Sequence, residues 1–477
     1  MIDFMSTSRV LCVSAFAVAT ITLAGEAVAQ GVTDVTGSEA VAELNADAPT
    51  YHGAAEAALT RNCVSCHRDG APSIGGITAP MALTSYQGAR RWSGSIARVL
   101  RSGYMPPWGA HVQHEGVFKE DRYISDEDKQ TLIAWAEAGA PMGDASEAGA
   151  KVSVEDIVTS APVQAPDGSM WWMGVPDMIV GFQEPVLVCE AIEDWQPRLP
   201  MQVKVGQIAE PKWIRSMEIS PGSEIVHHTV SSHLGVGVPG RGPFEFPEGW
   251  GILLPEDPSV SISMHYHKDP GPGTAVMDET QGGFMFYEDG DIIDHVVETS
   301  LQPFREFTIP AGDPNYEVQN VTEFDEDIYL LSMGPHAHYR GKAVKIELER
   351  PDRDFRETLL WVPDYDFNWQ FQYELEEPYF IPAGSRMHIT WWYDNSVANP
   401  YNPDPTAEVN YGPATTDEMM NARIYFARAE PLGLRVGGAV PAEILDRARA
   451  ASERERANQV EWEQATRGCG EQGFASR

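Results

Sequence analysis

The hydrophobic positions divide the chain into stretches of different period. Over residues 86–102 and 126–138 apolar residues recur at helical spacing, with Leu132, Ile133 and Trp135 on one face of the second stretch. Beyond about residue 170 the period shortens. Alternating runs at 186–188, 202–205, 213–219, 225–234, 343–348 and 387–392 are separated by Pro, Gly and Asp, the pattern of strands in β-sandwiches. Between the helical and β regions lies a stretch rich in Ala, Ser, Pro and Asp with little periodicity, which reads as a linker. Ala, Glu and Arg dominate residues 441–467 and predict a C-terminal helix. The expected fold class is therefore multidomain: a small all-α domain over 50–145, a linker over 146–172, two all-β sandwiches over 173–300 and 301–435, and a short helix in a tail over 436–477.

Charge narrows the partners. The 477 residues carry 70 acidic and 34 basic side chains, a formal net charge of −36. A chain this acidic repels the phosphate backbone, so no nucleic acid partner is expected. Residues 1–29 read as a secretory signal: Arg9, an apolar run over 10–23, and the small-x-small site Ala27-Val28-Ala29. No later stretch approaches the length of a membrane-spanning helix. The expectation is an exported protein, periplasmic or secreted, without a membrane span. Of five cysteines, Cys12 falls in the signal and Cys63 and Cys66 in a motif. Cys189 and Cys469 remain, either as one disulfide or as two free thiols.

The motif is Cys63-Val64-Ser65-Cys66-His67. Two thiols at this spacing can bond both vinyl groups of one covalent heme c, and the adjacent His becomes the proximal iron ligand. The sixth ligand is expected from a later Met. Met105, in Tyr104-Met105-Pro106-Pro107-Trp108, is the first candidate, because two prolines stiffen the backbone after it. Met81, His111 and His114 are rivals. Helices around a heme in fewer than 100 residues resemble a small class I cytochrome c domain, over about a fifth of the chain.

Histidine is scarce, 13 in 477 residues, yet seven fall into three clusters: His227-His228, His265-Tyr266-His267 and His336-Ala337-His338. Strand residues two apart share a face, so each HxH pair can reach one ion, whereas adjacent His227 and His228 face opposite sides unless the strand twists. Three such clusters in one β region point to metal. Imidazole with a Met thioether suits copper.

In this order the sequence resembles the copper type II, ascorbate-dependent monooxygenases, the peptidylglycine α-hydroxylating and dopamine β-monooxygenase family. The words are Ile225-Val226-His227-His228-Thr229, Leu253-Leu254-Pro255-Glu256, Ser263-Met264-His265-Tyr266-His267, Phe307-Thr308-Ile309-Pro310-Ala311-Gly312, His336-Ala337-His338-Tyr339-Arg340-Gly341, Ile381-Pro382-Ala383-Gly384, Trp392-Tyr393-Asp394-Asn395 and Asp417-Glu418-Met419. They cover about residues 175–430. The resemblance implies two jelly-roll-like sandwiches and two copper ions. One ion is held by His227, His228 and His265 and passes electrons. The other is held by His336, His338 and Met419 and binds dioxygen and substrate. His267 and Met420 are the alternatives to His265 and Met419. There are departures. Gly334 stands where the peptidylglycine enzymes place an Arg that grips the peptide carboxylate, and Arg423 where they place a Tyr, while Asn421 matches. The region also holds one cysteine, Cys189, where animal members are rich in disulfides. A peptide substrate is therefore not expected.

The expected function is an exported copper monooxygenase that hydroxylates a C–H bond of a small organic substrate with dioxygen. Its catalytic residues are His336, His338 and Met419. Its electrons pass through heme c from an external donor, and fusion keeps that donor group at high effective concentration. The alternative is a non-oxygenating electron-transfer or copper-binding protein.

Overall fold

The computed structural model describes residues 48–69, 79, 81–147, 162–231, 233–237 and 242–458. The signal at 1–29, most of the linker, Cys469 and the last part of the tail lie outside these residues. Several stretches have the expected local structure. Helix α1 is Glu56–Asn62, α2 is Tyr86–Ser102, α3 is Asp126–Glu137 and α4 is Ala442–Asn458. Ser85 and Ser125 cap α2 and α3 by accepting from the N–H of Gly88 and Asp128. Gly103, at φ 74°, ends α2 in the left-handed conformation. Among the described residues no helix is long and apolar enough to cross a membrane.

The expected all-α cytochrome c domain is not what forms. The described chain is mostly β, 37% strand against 17% helix. The short helices do share a small apolar cluster of Leu59, Ile96, Leu100, Leu132 and Trp135. The segment between α2 and α3 leaves that cluster, however, and completes the β core. Trp108 and Phe118 are buried there against Tyr373 and Phe371. Residues 117–119 pair with the strand Tyr373–Ile381: Lys119 N–H donates to the Glu374 carbonyl at 2.8 Å, and Glu376 N–H to the Val117 carbonyl at 2.9 Å. Large aromatics in a segment too short to enclose them are buried where apolar surface is available, and here that surface belongs to the sheets.

The two expected sandwiches each have a core of their own and are joined by strand pairing. The strands that matter for the site are β1 (Val226–Ser231), β2 (Gly235–Gly237), β3 (Val260–His267), β4 (His295–Leu301), β5 (Ile328–His336) and β6 (Asn421–Arg428). One 14-stranded sheet runs through both halves. From Tyr373–Ile381 it passes β5, β6 and β4, then Trp250–Leu254 and further strands of the first half, and ends on β3, β1 and β2. The link is β4, which lies on the expected boundary yet is a strand, parallel to Trp250–Leu254 and antiparallel to β6. The core of the first half accordingly includes Leu331, Tyr425 and Ala427 from the second. A separate four-stranded sheet, of Tyr316–Phe324, Ser385–Tyr393, Gly341–Glu349 and Arg356–Val362, covers the second core.

Helix α4 docks on the sheet. The Ser259 N–H donates to Ser452 Oγ at 2.7 Å, and the buried Glu455 accepts from Arg198 at 2.6 Å and from Ser261. Cys63 and Cys66 are free thiols and Cys189 is disulfide-bonded.

Candidate metal centre

The first set is built on β1 and β3. His228 is the ladder partner of His265, but the next pairing is Tyr266 with Val226, so the register shifts and His227 has no opposite number. An extra residue of this kind is a bulge, which re-aims the side chain it carries. The bulge resolves the difficulty of adjacent histidines on opposite faces: all three residues are buried, and one nitrogen of each lies within 4.8 Å of the others.

The nitrogens can be assigned. His265 Nε2 lies 2.8 Å from Asp194 Oδ2. It is the protonated nitrogen, leaving the Nδ1 lone pair on the other side. That Nδ1 is 3.3 Å from His228 Nδ1, which is 3.0 Å from His227 Nδ1. His228 can donate one proton to one neighbour only, so the cluster keeps lone pairs facing one another, an arrangement that a cation relieves. These three nitrogens would hold a single cation. Burial favours the neutral form of two of them: it pushes His227 down to about 3 and His228 well below its ordinary value, with neighbouring imidazoles adding to the effect. Asp194 is raised by burial, but the bonds from His265 and His267 outweigh this and hold it below the carboxylate range.

The second set closes the end of β5. His336 and His338 have ring centres 5.2 Å apart. His336 Nδ1 bonds Gln370 Oε1, and His338 Nδ1 donates to the Asp417 carbonyl at 3.3 Å, so Nε2 is the lone-pair nitrogen of each. Burial lowers His336 to about 4 and His338 to about 3. Met419 is tied to the segments that carry them through two connections. Glu418 Oε2 accepts from the backbone N–H of both His338, at 2.8 Å, and Met419, at 3.2 Å. Asn421, the ladder partner of His336, has its amide 3.3 Å from Met419 Sδ. Met420 instead lies in the apolar core, fully buried. His267 is 44% exposed and leans on Asp194 at 3.7 Å.

Sequence reasoning missed Asp194 and Gln370, which orient imidazoles, and Phe367, which packs on both sets. Phe367 stacks on His227 at 5.1 Å between ring centres and approaches His265 at 5.8 Å and His338 at 6.3 Å. None belongs to a spacing motif, and partners remote in sequence leave no periodic signal. Glu418 stood inside a quoted word but without a role.

The heme motif is placed on the turn after α1. Burial raises the Cys63 thiol to about 12, with Cys66 and Asp128 adding to it. Burial lowers His67, the Met81 backbone opposes this, and Nδ1 of His67 is buried with no hydrogen-bond partner. Met81 packs with Cys63 against the helical cluster. Met105 lines a cleft of about 1050 Å3 that also reaches Tyr104, Trp369 and Phe367. His114 is committed elsewhere, its Nε2 accepting from Trp361 N–H at 3.0 Å. His111 Nδ1 accepts from Gln113 N–H at 3.3 Å.

No family model and no curated protein matches the chain. Among solved structures, a protein from Eubacterium rectale aligns at 8% identity and TM-score 0.17, covering 53% of this chain and 69% of that one. The STIV MCP aligns at 9% and 0.17, covering 47% and 97%. The structure of infectious bursal disease virus Gx strain aligns at 9% and 0.15, covering 65% and 96%. Likeness at this level assigns neither fold nor function.

Proposed function

We propose that the chain is an exported copper-dependent monooxygenase that hydroxylates a C–H bond of a small organic substrate. The single observation carrying this reading is the division of labour between ring nitrogens. Three buried imidazoles turn Nδ1 toward one another on one side, while His336 and His338 use Nδ1 in hydrogen bonds on the other, on segments tied through Glu418 and Asn421 to Met419. Imidazole alone suits several metals, whereas a thioether beside two imidazoles selects copper. Bound copper supplies one-electron chemistry and a place for dioxygen to bind. The balance requires one dioxygen, two electrons and two protons for each hydroxylated product and water.

The chain's own residues prepare this chemistry. Asp194, Gln370 and the Asp417 carbonyl fix which nitrogen of His265, His336 and His338 carries the proton. Glu418 ties the two ligand-bearing segments together from 80 residues apart. Phe367 and the surrounding burial keep water from the imidazoles. For the electron supply, the two free thiols of Cys63 and Cys66 and the unpartnered Nδ1 of His67 suit a covalent heme c, refilled by an external donor. No separate cytochrome c fold is needed for that attachment.

The test is oxygen labelling. Copper-loaded, reduced protein is given isotopic dioxygen and a panel of small organic substrates, and one labelled oxygen per product is expected. Absence of label in every product, with two coppers bound, supports a non-oxygenating electron-transfer or copper-binding protein instead.

A further inference from the structure

The cleft of about 1050 Å3 lies between the segment that joins α2 to α3 and the second β core. Its size is that of a site for a small organic molecule. Its lining is largely aromatic. Trp108 and Tyr373 belong to it, with ring centres 5.1 Å apart, and Phe371 packs against both at 5.5 and 6.1 Å. Tyr104 and Trp369 add a second pair, 6.3 Å apart. Among the described residues, none of Cys63, Cys66 and His67 lines the cleft, so it is distinct from the heme attachment motif.

A cation in this lining lacks its counter-charge. The guanidinium of Arg122 lies over the Phe371 ring, 5.1 Å from its centre. Its Nη1 is buried without a hydrogen-bond acceptor, and among the described residues no carboxylate pairs with it. A buried N–H left unmet costs free energy that an incoming acceptor recovers. The other charges in the lining are committed or exposed. Lys342 donates to the Pro314 carbonyl at 3.1 Å and to Asn315 at 2.8 Å. Asp366 accepts from the Asn368 N–H, and Asp394 from the Ser396 N–H, both at 2.9 Å. Glu115, Asp126 and Asp364 are exposed, where solvent and salt screen their charge. The ligand must therefore bring the acceptor, and the planar fork of Arg matches a carboxylate through two parallel bonds.

The same cleft reaches the segment that carries His336 and His338. Tyr339, Tyr365 and Phe367 line it. The Phe367 ring lies 4.8 Å from that of Tyr339 and 6.3 Å from that of His338, and Tyr365 donates its hydroxyl to the Ala337 carbonyl at 2.8 Å. We infer that the cleft binds a flat aromatic acid, its carboxylate on Arg122 and its ring against the aromatic lining. The binding stands on the cleft alone. That the bound acid is the molecule hydroxylated rests on the copper reading above.

The test is calorimetric titration of the full chain, treated with a chelator, with 2-naphthoate and with 2-naphthylmethylamine as its cationic counterpart. Saturable binding of the acid is expected, about 10-fold or more tighter than that of the amine, and Arg122→Gln should weaken it by about 10-fold or more while leaving the amine unchanged. Photolabelling of the wild-type chain with 4-benzoylbenzoate needs no variant, and the label is expected on peptides spanning 102–110 or 362–369. No saturable binding, equal affinity for acid and amine, or label confined to other parts of the chain overturns the site. An Arg122→Gln affinity within twofold of wild type overturns the carboxylate anchor. Binding of the acid by a chain that takes up no copper keeps the cleft and removes the copper reading instead, so the two failures are told apart.

Discussion

The metal-free protein should lose stability on mild acidification, and the size of the loss follows from the buried imidazoles. His227 and His338 are held near 3 and His336 near 4, and His228 is also held well below its ordinary value, in each case chiefly by burial. At pH 5.5 all four stay neutral in the folded chain, whereas an unfolded histidine of pKa about 6.5 takes up a proton. The unfolded state then binds more protons, so stability falls as pH falls through this window. Each residue contributes a loss of about 1.2 kcal/mol between pH 7 and 5.5, so four contribute about 5 kcal/mol. Glu418 acts in the opposite sense. Burial raises it to about 7 despite its three backbone N–H donors, so the folded chain gains a proton that the unfolded one refuses. This returns about 1.5 kcal/mol, while His114, lowered to about 4 chiefly by burial, loses about 1.2 kcal/mol more, which leaves a net loss of about 4–5 kcal/mol, a large part of a typical folding free energy. Ordinary carboxylates remain ionised in both states above pH 5.5 and contribute little. The assay is urea unfolding followed by tryptophan fluorescence, on chelator-treated protein at the two pH values, repeated with His227→Gln, which should remove about 1.2 kcal/mol of the difference. Equal or greater stability at pH 5.5 would refute the assignment of these imidazoles as buried and neutral.

Three further outcomes are expected. Asp194→Ala removes the acceptor that orients His265 and should weaken copper binding at the three-histidine set by about 10–100-fold, measured by competition with a chromophoric chelator; an affinity within twofold of wild type counts against the role of Asp194. Phe118→Ala should cost about 3–5 kcal/mol, because Phe118 is buried in the β core rather than in a helical domain, and the single unfolding transition of the β region should move. If only helical signal changes, the helical segment is independent after all. Glu455→Ala leaves Arg198 and Ser261 without their shared acceptor and should destabilise by about 2 kcal/mol while exposing α4 to limited proteolysis; unchanged cleavage means that α4 is held by its apolar contacts alone.

Local pattern carried the elements. Period and capping residues are properties of neighbouring positions, so α2 was legible to its last residue, and the strands around 213–219, 343–348 and 387–392 formed where alternation placed them. The ligand words were legible for a related reason: HxH and the adjacent pair at 227–228 are short-range arrangements. The tertiary structure decided the rest, because burial depends on what lies opposite in space. Trp108 and Phe118 entered the β core rather than a helical domain, and β4 joined the two expected sandwiches by strand pairing. A one-residue bulge turned His227 toward His228. None of these outcomes has a local signature, since each depends on register and closure across residues that are far apart along the chain.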